Sequence, residues 1–281
     1  MAGFSSHLDD LRHGYRSTMS SAVVNTLRDA GCVFAEEEAR LLTAQARNAD
    51  QLDAMVRRRA IGEPLEHILG WAEFCGLRIR VGAGVFVPRR RTEFLVARAA
   101  GLLRPGATVV DLCCGSGAIS AALAARIEPL DLYAVDVEPA AVAYAKQNIP
   151  TEVGTVYQGD LYDPLPPRLR SRVAVIVANA PYVPTSQIEL LPSEARVYEP
   201  QIALDGGGDG LEVQRRITAG APTWLEVGGH LLIETSKHQA RSTAALARDH
   251  GLRPRIVTSP GLSATVVISR RGPADRYSIG G

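Results

Sequence analysis

Residues 108–127 read TVVDLCCGSGAISAALAARI: a short unbroken apolar run, a turn carrying Gly115 and Gly117, and a helical pattern opening at about Ala118. An apolar strand without polar alternation is buried on both faces, as strands of parallel sheets are. Glycines at a strand-to-helix turn let a ligand approach the backbone, and a helix start presents N–H groups with no internal partner. Such a turn either packs the fold or binds a nucleotide-like cofactor. Downstream, the runs LYAVDV (132–137), TVYQ (155–158), VAVIVAN (173–179) and HLLIE (230–234) alternate with helical patterns at 139–148, 211–224 and 239–250. Closing strands fall near Arg253 to Thr258 and Ala264 to Ser269; separated by little more than Ser-Pro-Gly, they must run antiparallel to each other. The prediction is an α/β fold with a mostly parallel sheet covered on both faces. There is no internal repeat, and the tail RRGPADRYSIGG (270–281) is expected to be loosely held.

The chain has 281 residues, 46% hydrophobic and 22% charged, the balance of an ordinary globular protein large enough for a sizeable core. With 31 basic and 30 acidic side chains its formal charge is +1, which exerts no global pull towards nucleic acid or an anionic membrane. Cys32, Cys75, Cys113 and Cys114 form no CxxC pair and no ligand cluster with the histidines, so no metal is expected and the adjacent Cys113 and Cys114 read as small reduced side chains. The start, MAGFSSHLDDLRHGY (1–15), interrupts its apolar residues with charge, and nowhere is there an apolar run of about 18 residues. The expected location is therefore the cytoplasm.

From Ser20 to about Ile68 the apolar residues recur at helical spacing, predicting a bundle of about three or four helices with a stop at Gly31 and a start at Asp50. Its charged stretches, Glu36 to Glu38 and Arg57 to Arg59, read as solvated faces. Between Trp71 and Pro88 the period changes to that of a hairpin, with Leu77, Ile79 and Val81 alternating against Arg78 and Arg80. The predicted division is a helical domain over 1–70, a hairpin connector over 71–90 and the α/β domain over 91–281.

Asp136 stands at the end of the second strand, about twenty residues beyond the glycines, where a carboxylate accepts hydrogen bonds from ribose hydroxyls or caps the next helix. Position 120, where a nicotinamide-binding turn carries a third glycine, is serine. That argues against a pyrophosphate and for S-adenosylmethionine. Asp160 and Leu161, after the third strand, are placed either to border an adenine or to form a plain surface turn. The fourth strand delivers Asn179, Ala180, Pro181 and Tyr182 at its C-terminal end, the side on which open α/β sheets bind ligands. An amide-type nitrogen is a poor nucleophile because its lone pair is delocalised. A site that methylates it must accept hydrogen bonds from both N–H groups and hold the nitrogen in line with the methyl carbon. The Asn179 side-chain oxygen and the Ala180 carbonyl supply two acceptors, Pro181 restricts the turn, and Tyr182 supplies a flat wall.

On these residues the chain resembles the HemK/PrmC-type protein glutamine methyltransferases, which modify the glutamine of a Gly-Gly-Gln loop in release factors and have a sister group acting on a ribosomal protein. The similar segments are GEPLEHILGWAEFCGL (62–77), GVFVPRRRTEFLV (84–96), DLCCGSGAIS (111–120), VDVEPAAVAYAKQN (135–148), GDLYDPLP (159–166), NAPYVP (179–184) and EARVYEPQIALDGGGDGLEVQRRI (194–217). The resemblance implies a Rossmann-like class I methyltransferase sheet with an antiparallel last strand, a helical N-terminal domain that recognises the protein substrate, and a hairpin between them. It also implies that Asp111, the turn Cys113, Cys114, Gly115, Ser116 and Gly117, then Asp136, Asp160, Leu161 and Asn179 surround the cofactor, and that Asn179 to Tyr182 surround the glutamine. The chain departs from the family pattern at Ala180, which replaces a proline, at Arg90 and Arg91 in place of Pro-Glu, at Thr235-Ser236 in place of Ile-Gly, and at Cys113-Cys114 in place of Gly-Thr. Losing the proline removes a restraint of roughly 0.4–1 kcal/mol, small beside the ~3 kcal/mol of a transition-state hydrogen bond, and the carbonyl at 180 remains. Two other readings stay open on sequence alone: methylation of an adenine amine in DNA or RNA, and a non-catalytic cofactor-binding module of the translation machinery.

Overall fold

The computed structural model of the protein describes residues 21–273. The charged start and most of the tail lie outside these residues. Arg270 and Arg271, assigned above to a loose tail, instead complete the last strand of the sheet.

The first helix, described over 21–29 (α1), stops at Gly31, whose φ of +87° is left-handed backbone that glycine adopts without strain. Helices α2 (Ala35–Gln45), α3 (Ala49–Ala60) and α4 (Leu65–Leu69) follow, α3 starting where the Asn48 side chain accepts from the Gln51 N–H at 2.8 Å, just before the expected boundary at Asp50. Leu27, Leu42, Leu52, Met55 and Ile68 close their core. Glu38 and Arg59, predicted to be solvated, are both nearly buried and face each other at 2.6 Å, because Arg59 reaches back across the bundle and also pairs with Glu194 at 3.3 Å. Helical periodicity identified the apolar stripe but not the charged pair that a later segment covers.

Strands β1 (Trp71–Phe74) and β2 (Leu77–Arg80) form the expected antiparallel hairpin. Its inner residues Ala72, Phe74 and Ile79 belong to the core of the α/β domain, so the hairpin is packed onto that domain. Burying Phe74 and Ile79 contributes roughly 1.5–3 kcal/mol each. A 3-10 turn (Arg90–Thr92) then opens α5 (Glu93–Ala100), a helix the sequence pattern left unassigned; it buries Phe94, Leu95, Val96 and Ala99.

The sheet contains β3 (Thr108–Leu112), β4 (Asp131–Asp136), β5 (Gly154–Gln158), β6 (Val173–Ala178), β7 (Leu225–Glu234), β8 (Leu252–Ser259) and β9 (Ala264–Arg271), in the order β5-β4-β3-β6-β7-β9-β8. Pairings from β5 to β7 are parallel, and β9 inserts antiparallel between β7 and β8. Strand β7 is longer than the run HLLIE, starting at Leu225 with a register shift opposite Val173 to Val175. Helices α6 (Ala118–Ala124) and α7 (Pro139–Asn148) join α5 and the hairpin on one face; α9 (Glu212–Trp224) and α10 (Ala240–Asp249) cover the other. Between β6 and α9 the chain forms a strap that contains α8 (Ser193–Tyr198) and borders the C-terminal end of the sheet. The chain runs from β3 outward to β5 and then crosses back to β6, so the strand order reverses between β3 and β6. The C-terminal ends of these strands are where an open α/β sheet forms its crevice.

Candidate active site

A cavity of about 670 Å³ occupies this crevice, a volume typical of a small-molecule site. Its inner half is built from the ends of β3, β4 and β5. After β3 the backbone turns through left-handed φ values of +55° at both Cys113 and Gly115, and the Cys114 N–H donates to the Val135 carbonyl at 3.0 Å, fastening the turn to β4. An added Cβ at Gly115 would meet nothing within 4 Å, so this glycine faces the open cavity. Gly117 does different work: a Cβ there would lie 2.9 Å from Ile149 and 3.2 Å from Ala145, and its absence lets the start of α6 pack onto α7. Asp136 joins the pieces, accepting from the Gly115 N–H at 2.8 Å through Oδ2 and from the Glu138 N–H at 2.9 Å through Oδ1. A carboxylate has about four acceptor sites, so Asp136 keeps lone pairs for a ligand. Burial pushes its pKa up, against the pull of the backbone donors of Glu138, Gly115 and Val137.

Asp111 and Gly117 do not line the cavity, whereas Cys113, Cys114, Ser116, Asp136, Asp160 and Leu161 do. Asp111 lies fully buried behind the wall, its Oδ2 taking the Ser120 hydroxyl at 2.7 Å and the Ser120 N–H at 3.2 Å, which gives the serine at the third-glycine position a structural role. Its Oδ1 has no partner, and burial pushes its pKa up to about 7. Burial likewise raises the thiols of Cys113 and Cys114, which keeps them protonated. Asp160 is held by Arg216 of α9 at 2.6 Å, a partner that sequence reasoning missed. Leu161 takes a left-handed φ of +48° and presents an apolar surface beside it.

The outer half is assembled from three distant segments. Asn179, Ala180, Pro181 and Tyr182 all line it at the end of β6. The Asn179 Nδ2 donates to the buried Thr92 hydroxyl at 3.4 Å. Arg91 donates from Nη2 to the Tyr182 hydroxyl at 2.7 Å and from Nε to Glu234 Oε1 at 3.2 Å. Glu234 ends β7, is nearly fully buried, and has its pKa raised by that burial while Thr92 and Arg91 oppose the rise. Burial also raises the Tyr182 phenol, leaving it a neutral wall. Arg90 is exposed and does not line the cavity. The strap closes this half: the Val183 N–H donates to Leu204 O at 3.0 Å, and buried Glu199 accepts from the Val87 N–H at 3.0 Å and from Arg89 at 2.6 Å. In sequence Arg91 stands out only as an altered position and Thr92 and Glu234 only as neighbours of altered ones; none of them, nor Glu199, is assigned there to the site. The signal available for Glu199 was a carboxylate inside the segment 194–217.

The lining decides which cofactor fits. Asp136, Glu138 and Asp160 surround the inner half, and the one cation lining it among the described residues, Arg216, is already bound to Asp160. A diphosphate would meet uncompensated carboxylates there, while a sulfonium carrying an ammonium group meets complementary charge. The glycine turn, the β4 carboxylate and the sheet order thus define a methyltransferase of the Rossmann-like class, and residues 77–252 match the family described as methyltransferase small domain. A methyltransferase from Pyrococcus furiosus shares the fold, with a TM-score of 0.52 over 80% of this chain and 100% of its own at 16% identity. Among curated relatives, the release factor glutamine methyltransferase of Geobacter sulfurreducens is 40% identical over 204 residues, 71% of either chain. That of Cereibacter sphaeroides is 34% identical over 277 residues, 90% of this chain and 97% of its own. The chain belongs to the release factor glutamine methyltransferase family.

Proposed function

We propose that this chain methylates the side-chain amide nitrogen of a glutamine in a peptide chain release factor, with the amide held at the end of β6. Membership of the family supports the reaction. The observation that carries the assignment of residues is the orientation of Asn179: its Nδ2 is turned to Thr92, so its Oδ1 is the end left for the cavity.

The cofactor is S-adenosylmethionine, which supplies an electrophilic methyl carbon on a positively charged sulfur. Gly115, Asp136 and the apolar side of Leu161 bind it in the inner half. Asn179 Oδ1 and the Ala180 carbonyl accept from the two N–H groups of the glutamine, which orients the nitrogen and favours positive charge developing on it as its lone pair is drawn away from the carbonyl. Pro181 fixes the turn that places both acceptors. Tyr182, with its hydroxyl tied to Arg91, gives the planar amide a face to lie against. The proton leaves after transfer, once the new bond has made the nitrogen acidic, so no side-chain base is required beforehand. The helical unit recognises the protein substrate, and the strap over 183–206 forms the rim that the substrate loop crosses. No helix among the described residues is long and apolar enough to cross a membrane. The site of action is the cytoplasm, where release factors work, and the recognised partner is protein rather than nucleic acid.

The test is to incubate the protein and labelled S-adenosylmethionine with release factors, large ribosomal subunits and oligonucleotides, then locate the label by mass spectrometry. One methyl on a release-factor glutamine is expected. Label on a ribosomal protein or an oligonucleotide instead would overturn the substrate assignment. Absence of any transfer, with no calorimetric binding of the cofactor, would overturn the catalytic one.

A further inference from the structure

The two ends of a side-chain amide are nearly equal in size, so packing alone does not decide which faces a cavity. Something must make Asn179 present its oxygen, because the reverse orientation would oppose N–H to N–H. The surroundings of the amide supply that choice. Its Nδ2 contacts the Thr92 hydroxyl at 3.4 Å, and Thr92 is buried with no water-exposed alternative. The Thr92 hydroxyl also acts on the carboxylate of Glu234, favouring its ionised form, and Glu234 follows Ile233, which pairs with Ala178 just before Asn179. Glu234 Oε1 is taken by Arg91 Nε at 3.2 Å, while Oε2 is a buried acceptor with no partner of its own. When Glu234 is ionised its carboxylate only accepts, and the buried Oε2 is then open to the one proton of the Thr92 hydroxyl. That leaves the Thr92 lone pairs, which only accept, for Asn179.

We infer that Glu234 is a positioning residue: through the Thr92 hydroxyl it sets the amide of Asn179 with its oxygen towards the substrate, and Arg91 serves as its counter-ion. The inference rests on the functional reading above. A neutral Glu234 donates to Thr92, frees the hydroxyl proton for Asn179 Oδ1 and removes the preference between the two orientations. The charged and titratable groups facing Glu234 are Arg91, from the turn before α5, and Tyr182, from the loop after β6; Arg91 also binds the Tyr182 hydroxyl at 2.7 Å. Arg91 thereby couples the carboxylate to the wall as well as to the acceptor.

Thr92→Val keeps the shape of the side chain and removes the hydroxyl; Thr92→Ser keeps the hydroxyl. The valine variant is expected to lose roughly 10-fold to 100-fold in kcat, the order expected when a group that aligns the substrate is misplaced, with cofactor affinity by calorimetry unchanged. The serine variant recovers most of the rate. In Arg91→Ala the carboxylate has lost the cation that holds its pKa down, so the acid limb of the kcat/KM profile moves to higher pH. Wild-type turnover by Thr92→Val, a serine variant no faster than the valine one, or an acid limb unmoved in Arg91→Ala would each overturn the inference. Unchanged cofactor affinity reports an intact fold, and failure of the wild-type protein itself to methylate would instead strike the functional reading beneath.

Discussion

Gly115, Asp136 and Leu161 reach the cavity from successive strand ends, on backbone that the sheet itself positions, whereas Asn179, Thr92, Arg91 and Glu234 meet only because three segments remote in sequence converge. The inner half is held by main-chain N–H groups donating to one carboxylate, with left-handed turns giving the ligand access. The wall around Asn179 in the outer half is held by side chains donating to side chains, around a buried carboxylate. Each construction suits its task. In the proposed assignment a cofactor of fixed shape is met by rigid backbone, while an acceptor amide is met by acceptors whose polarity an oriented side-chain network helps to set. The two halves should therefore fail in different ways: the inner one through affinity, the outer one through rate.

The sharpest way to break this contrast is Asn179→Ala. We expect kcat to fall by roughly 10²–10³, about 3–4 kcal/mol, with cofactor binding by calorimetry unchanged. A loss of affinity as large as the loss of rate would show that the halves are not separable. Next in size is Asp136→Ala, which removes the acceptor for two backbone N–H groups and a carboxylate from the cavity wall proposed to hold the cofactor. Its cofactor Kd should rise by about 1.5–3 kcal/mol equivalent, with the KM for release factor unaffected. The smallest effect concerns stability. Asp111 has its folded pKa raised to about 7, above the unfolded value, so the folded state holds a proton that the unfolded state has lost. Stability from this group is full below the unfolded pKa of about 4 and declines as pH rises towards the folded value. In the cofactor-free protein, the difference in Tm between wild type and Asp111→Asn should shift in favour of the variant as pH is raised through that window. A difference that stays constant from about pH 4 to about pH 8 would show that folding does not raise the Asp111 pKa.

Much of the inner half was legible because its signals are local. The unbroken apolar runs from 108 to 178, the glycine turn and the strand-end Asp136 lie within short windows, and each carries its own periodicity or residue type. Helix α5 was not, since it follows three arginines and its buried residues Phe94, Leu95 and Val96 are consecutive rather than spaced. In the outer half the tetrapeptide Asn179 to Tyr182 could be read, but its supports could not. Arg91 and Glu234 are 143 residues apart, and nothing in either neighbourhood announces the other. Ser120 and Glu199 teach the same lesson: a polar residue in an apolar setting signals a partner without saying which. Placing Asp111 and Gly117 behind the wall likewise took three-dimensional packing, because motif position alone does not separate residues that touch a ligand from residues that hold the ones that do.

The strap has one more implication. It grips the helical unit through Glu194 to Arg59 at 3.3 Å and through the Tyr198 hydroxyl to the Ile61 carbonyl at 3.3 Å, and it grips the cavity rim through Glu199. The helices and the acceptor wall are thus geared together by one continuous stretch of chain. If the helices receive the protein substrate, as proposed above, the surface that docks it and the rim its glutamine crosses share this one stretch of chain.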